Sequence, residues 1–164
     1  MKIYKVRDVK TPTRGTSKSA GIDFYVPNSF KQTALSPHCD ILIPSGIKAN
    51  IKEGYMLMGA EKSGVTTTNQ AVLASGRTPK EDGYLSATIL GAKIVDEDYQ
   101  GEIHIHIINT GDHDVIITPG KKIAQFILVP VSYDTVEEVA TEDELFSGEE
   151  TERGEGGFGS TGEE

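Results

Sequence analysis

The chain has 164 residues, is 37% hydrophobic and carries a formal net charge of −9; this length supports one well-buried core and argues against two independent domains. Hydrophobic residues never run for the roughly 18 positions of a membrane span, and MKIYKVRDVK lacks the apolar centre of a secretion signal, so a soluble, intracellular and cytoplasmic protein is expected. Residues 137–164 hold 11 acidic side chains against Arg153 alone, a net of −10, while residues 1–136 carry +1. The near-neutral body is therefore open to a phosphate compound, whereas the absence of a basic stripe with interleaved aromatics disfavours long nucleic acid. Cys39 is the single cysteine; no internal disulfide can form, and the residue is expected as a partly buried free thiol.

In chain order, SAGIDFYVP (19–27) sets an acid, Asp23, after a glycine and before strand-like residues, which is a capped turn or a site acid. DILIPSGIKANI and GYMLMGAE are β-rich runs broken by PSG and KEG turns. EKSG (61–64) places a cation and a hydroxyl before a glycine, suited to an oxyanion contact and equally to a surface turn. ASGRTPKEDGYLSA (74–87) is polar and turn-rich, the composition of a long surface loop or an extended hairpin. VDEDYQGE (95–102) gathers Asp96, Glu97 and Asp98 beside Tyr99; one carboxylate there can serve as a general base toward water, or the segment is an acidic turn.

EIHIHII alternates, with Ile103, Ile105 and Ile107 on one face and Glu102, His104 and His106 on the other. Two histidines at i and i+2 lack a third ligand at suitable spacing, so a solvent-facing or intersubunit face is expected rather than a metal site. DVIITPG follows, then KIAQFILVPV, apolar on both faces apart from Lys122 and Gln125 and so expected at the centre of a sheet. Helical spacing occurs only in VEEVATEDELF, near 136–146. The like charges of TEDELFSGEETE (141–152) predict an extended linker. The chain closes with RGEGGFGSTG (153–162), five glycines around Phe158 with Arg153, Ser160 and Thr161: glycine N–H groups, a guanidinium and hydroxyls suit a polyphosphate, and the ring suits a planar base. The short strands at spacings near ten residues predict an all-β sandwich, barrel or jelly roll.

Five of these stretches, in order, resemble the motifs of the trimeric dUTPases, of phage or bacterial type: SAGIDFYVP, EKSGV, GAKIVDEDYQGE, PGKKIAQFILVPV and RGEGGFGSTG. The resemblance implies a distorted jelly-roll or β-clip barrel spanning residues 1–136, a homotrimer sharing its sites between subunits, and an acidic linker with a mobile glycine-rich arm over 137–164. It implies hydrolysis of dUTP to dUMP and pyrophosphate, which limits uracil in DNA and supplies dUMP for dTMP synthesis. By similarity Asp96 matches the base that activates water, Tyr99 the ring that excludes a 2′-hydroxyl, and Ser63 and Gln125 phosphate contacts. Lys62 and Gly64 flank Ser63 in the second motif. Asp23 matches the acid that orients the waters of Mg2+, the expected cofactor, which the triphosphate itself carries. Arg153 matches a γ-phosphate contact, Phe158 the lid over uracil, and Gly159, Ser160 and Thr161 further arm contacts.

Uracil is read, by the same resemblance, through backbone groups of the hairpin leading to Asp96 and Tyr99. The chain departs from the common pattern at Lys62, where arginine is usual, at Leu90, where many members carry asparagine, and at Lys93, which replaces a frequent glycine. Ser63 and Asp96 are 33 positions apart, longer than usual, and the excess falls in 74–87, an inserted loop and a candidate protein-partner surface. Two other readings share the scaffold. A regulatory nucleotide-binding protein would use that loop, while a dCTP deaminase relative would have no reason to keep the DxDYxGE stretch or the Phe-containing arm.

Overall fold

The computed structural model describes residues 1–61, 88–111, 114–152, 154 and 156. Two compact units divide the chain, Met1–Ser132 and Tyr133–Glu164. In the first, the described strands are β1 (Lys2–Lys5), β2 (Thr13–Arg14), β3 (Gly21–Tyr25), β4 (Thr33–Leu35), β5 (Asp40–Pro44), β6 (Ile47–Asn50), β7 (Tyr55–Ala60), β8 (Thr88–Leu90), β9 (Ile94–Val95), β10 (His104–Asn109), β11 (Val115–Ile117) and β12 (Lys122–Pro130). All pair antiparallel. Four small sheets result, ordered β1-β6, β5-β10-β8, β11-β4 and β2-β3-β12-β7-β9. This is the all-β architecture expected from the many short strands.

Alternation explains which residues face inward. Ile105 and Ile107 of β10, with Ile103 just before it, are buried, while His104 is exposed. Strand β12 lies between β3 and β7 in the five-stranded sheet, as its apolar run on both faces requires. Phe24 of β3 and Phe126 of β12 are fully or almost fully buried, with ring centroids 4.6 Å apart, inside a single core that also takes in Ile43, Leu57 and Val115. Buried polar groups are satisfied: Asn109 donates from Nδ2 to the Leu35 carbonyl at 3.0 Å and accepts at Oδ1 from the Gly111 N–H.

Two expectations are corrected. Cys39 is exposed rather than partly buried, because it follows His38, which turns the chain at φ 59 just ahead of β5. In the second unit, 141–152 is not uniformly extended: Glu142–Phe146 forms a short helix, α1. Thr141 caps it by accepting from the Glu144 N–H at 3.3 Å, which satisfies one orphan donor, and the Glu144 carboxylate reaches back to the N–H of Ala140, the residue before the cap, at 3.0 Å. Glu142, Asp143 and Glu144 stand in the first turn, where the helix dipole favours negative charge. Like charge placed at that end assists the helix instead of opposing it.

Candidate functional site

Asp23 and Gln125 face one another across β3 and β12. Asp23 is buried, and its Oδ2 accepts from Lys122 Nζ at 2.5 Å; the carboxylate holds the Lys122 ammonium above its usual pKa, first through this hydrogen bond. Lys122 and Gln125 are three residues apart, a spacing that puts side chains on opposite faces of a regular strand. The register shifts between Lys122 and Ala124, so Ile123 is an extra residue that returns both side chains to the face of Asp23. Gly21, two residues before Asp23, has no room for a Cβ, which would run into the Gln125 side chain. The Gln125 amide donates from Nε2 to the Glu61 carbonyl at 2.9 Å.

The second group of candidate residues sits where β9 ends. Asp96 is exposed and opens a turn in which its carbonyl accepts from the Tyr99 N–H at 3.2 Å. Glu97 is used structurally, accepting from the Gly54 N–H at 2.5 Å, so of the three acids it is the one whose carboxylate braces the turn. Tyr99 is 45% exposed and donates its hydroxyl to the Glu102 carbonyl at 3.0 Å. A Cβ at Gly101 would collide with that ring, which is why a glycine stands there. A cavity of about 530 Å³ opens beside the turn, lined by Asp98, Tyr99 and Gln100 together with Tyr4 and Asn50.

Glu102 anchors this turn to the body. Its two carboxylate oxygens take a bidentate pair from Arg7, at 2.7 Å from Nε and 3.0 Å from Nη2, and the Gly46 N–H adds a third donor at 2.7 Å. Gly46 holds φ +75 with Val9 and Arg7 side chains close behind its Cα, a position that suits glycine alone. Arg7, by its hydrogen bond first and its charge second, lowers the Glu102 carboxyl below its ordinary value of 4.5. A carboxyl depressed in the folded state stabilises above its unfolded pKa and loses that contribution as pH falls through the folded one. Thermal stability should therefore decline below about pH 4.5, and Glu102→Gln should flatten that decline in a melting series from pH 7 to 3.

The segment between β8 and β9 differs from the expected hairpin. β8 pairs with β10 and β9 pairs with β7, so Leu90 to Val95 crosses from one sheet to another instead of folding back on itself. Its ends are tied to each sheet: the Gly91 N–H donates to the His106 carbonyl at 3.0 Å, and the Lys93 carbonyl accepts from the Gly59 N–H at 2.5 Å. His106 Nε2 lies 2.7 Å from Asp40 Oδ2 and His104 Nδ1 lies 2.9 Å from the Glu102 carbonyl; among the described residues no cluster of three metal-ligating side chains occurs.

Lys62, Ser63 and Gly64, the loop 74–87, and Arg153, Phe158, Gly159, Ser160 and Thr161 lie outside the described residues. Two residues with close contacts were not singled out by sequence. Lys122 was noticed only as a polar interruption of β12, although the KK pair after PG marks a cation beside the strand. Glu61 precedes KSG directly, yet its partners are 29 and 32 positions away. A hydrated Mg2+ carried by a nucleotide would meet here a buried Asp23 carboxylate that the Lys122 ammonium already neutralises, a group that could accept from metal-bound water but is unsuited to direct ligation.

Solved structures place this fold. The Staphylococcus bacteriophage 80alpha dUTPase with dUpNHpp superposes with a TM-score of 0.75 at 20% identity, over 98% of this chain and 97% of that one. A phage phi11 dUTPase of S. aureus, described with a structural Mg(II) ion, gives 0.66 at 18% identity over 87% and 97%. The protein is thus an all-β jelly roll of the dUTPase kind. The family model for dUTPase matches residues 68–162, and the deoxyuridine 5′-triphosphate nucleotidohydrolases of Chlamydia pneumoniae and Syntrophotalea carbinolica are 38% and 34% identical over 152 residues. These cover 92% of this chain and 90% and 88% of theirs. The chain belongs to the dUTPase family.

Proposed function

We propose that this protein hydrolyses dUTP to dUMP and pyrophosphate, with Asp96 as the general base. Water gives a proton to the Asp96 carboxylate as its oxygen bonds the α-phosphorus; the bond from that phosphorus to the bridging oxygen breaks in line, and its electron pair leaves with pyrophosphate. The observation that carries the reading is the exposed Asp96 carboxylate at the mouth of a braced turn with Tyr99 three residues on, in a chain of this family. Tyr99 packs on the deoxyribose and leaves no space for a 2′-hydroxyl, its ring held by the bond to Glu102. Backbone groups of the crossover after β8 read uracil; cytosine, with an amino group where uracil has a carbonyl, leaves them unpaired.

Lys62, Ser63, Gly64 and Gln125 take the phosphate chain, and Arg153, Ser160 and Thr161 close on it with Gly159 while Phe158 covers the base. Asp23 would hold the waters of Mg2+, which when bound supplies charge neutralisation along the triphosphate. The catalytic body is residues 1–136 and the arm 137–164. A homotrimer is supported by the outer face of the β5-β10-β8 sheet, where Leu42 and Ile89 are 57% and 46% exposed, an apolar area suited to burial against another copy. Among the described residues no helix is long and apolar enough to cross a membrane.

Pyrophosphate release across a nucleotide panel tests the proposal. With Mg2+, dUTP should be turned over and UTP, dTTP and dCTP left, by a species of three times the mass of the chain in light scattering. Turnover of dCTP at the same rate, or release of ammonia, would sink it. A partner-binding role for residues 74–87 is a separate proposal, tested by whether deleting the loop leaves this activity intact.

A further inference from the structure

Glu61 joins three parts of the molecule that the proposed reaction needs in register. It follows β7 directly and precedes Lys62 and Ser63. Its backbone carbonyl accepts from Gln125 Nε2 at 2.9 Å. Its carboxylate Oε1 accepts both from the Leu90 N–H at 3.1 Å and from Lys93 Nζ at 2.6 Å. The Leu90 N–H and the Lys93 side chain stand at the two ends of the crossover, and both converge on this one oxygen. The Lys93 hydrogen bond keeps the Glu61 carboxyl below its ordinary pKa, so it is ionised throughout the neutral range.

We propose that Glu61 is a positioning residue for uracil selection: with Lys93 as counter-ion, it fixes the crossover from Leu90 to Lys93 against the phosphate-side amide of Gln125. This rests on the reading of the protein as a dUTP hydrolase. The physical need is specific to backbone recognition. A side chain that reads a base can adjust by rotating, but peptide N–H and C=O groups discriminate only as well as the segment carrying them is held. Between strands of only three and two residues, the crossover backbone is held at its ends by the Gly91 bond to the His106 carbonyl and the Gly59 bond to the Lys93 carbonyl, and Glu61 adds a side-chain tie across it. The ion pair is half exposed, at 43% for Lys93 and 29% for Glu61, and pairs of that kind add little to global stability. Its use is local, as a strut between the crossover and the end of β7.

Because the Gln125 contact goes to the Glu61 backbone, Glu61→Ala removes the strut and leaves that contact in place. The expected result for Glu61→Ala and for Lys93→Met is a rise in KM for dUTP of about tenfold, a fall in the dUTP to dCTP ratio of kcat/KM of similar size, and little change in kcat. Lys93→Arg should restore most of both. The double variant should be no worse than Glu61→Ala, as expected for two ends of one interaction. Amide exchange at Leu90 should quicken in Glu61→Ala, a readout that needs no turnover. Wild-type protein that releases no pyrophosphate from dUTP would overturn the functional reading beneath this inference. Wild type that does, with both single variants matching its KM and nucleotide ratio, or with losses that add in the double variant, would overturn the inference alone. So would variants that lose only melting temperature.

Discussion

Asp96→Asn should lower kcat for dUTP by about 10³-fold, or about 4 kcal/mol of transition-state stabilisation, while a non-hydrolysable dUTP analogue binds as before. The carboxamide has the shape of the carboxylate but cannot take the proton of the attacking water. Nothing else in the turn depends on that side chain: the bond that shapes it runs from the Tyr99 N–H to the Asp96 backbone carbonyl, and Glu97 and Glu102 supply the bracing. Melting temperature should therefore be unchanged. Single-turnover pyrophosphate release together with a binding isotherm would separate the two effects. If turnover survives within tenfold, the base lies elsewhere in the cluster, and Asp98, two residues on and bordering the cavity, is the next carboxylate to replace.

Removing everything after Gly148 should also be severe, at least about 10²-fold in kcat, the size of losing transition-state donors from a water-excluding site. The deletion takes Arg153 and Phe158, the proposed contacts to the γ-phosphate and the base, but it keeps α1 and its cap. It also leaves the core whole, since Phe24, Ile43, Leu57 and Phe126 all belong to the unit Met1–Ser132. The shortened protein should melt with the parent and bind nucleotide more weakly. Loss of folding would reassign the arm to structure; unaltered kcat would remove it from the chemistry.

The features that sequence disclosed are those encoded in short windows. The alternation of EIHIHII assigned the inward isoleucines of β10, and the doubly apolar KIAQFILVPV located the centre of the largest sheet, because period and hydrophobicity act between neighbours in the chain. Contacts across 29 to 99 positions were hidden: Glu61 with Leu90 and Lys93, and Lys122 with Asp23. The exposure of Cys39 turned on one left-handed residue before it. The short helix fell inside the window 136–146 where helical spacing was noted, while the reading of 141–152 as extended failed because counting charge ignored where along a helix the charges would stand. The resemblance to a known family supplied Asp96 and Tyr99 as a pair, yet it could not supply Glu61, whose proposed role rests on contacts to the Leu90 N–H and the Lys93 side chain far along the chain.

The extra residue in β12 has a consequence for how such a chain can vary. Side-chain direction in a strand is a matter of parity, and Ile123 makes the count from Lys122 to Gln125 come out on the side of Asp23. Deleting one residue there, or inserting one, would turn Gln125 to the opposite face while leaving its composition and hydropathy almost unaltered. Natural length variation should therefore be tolerated on the stretch 74–87 and be lethal to activity within four residues of β12, a contrast that a library of single-codon insertions and deletions would read directly.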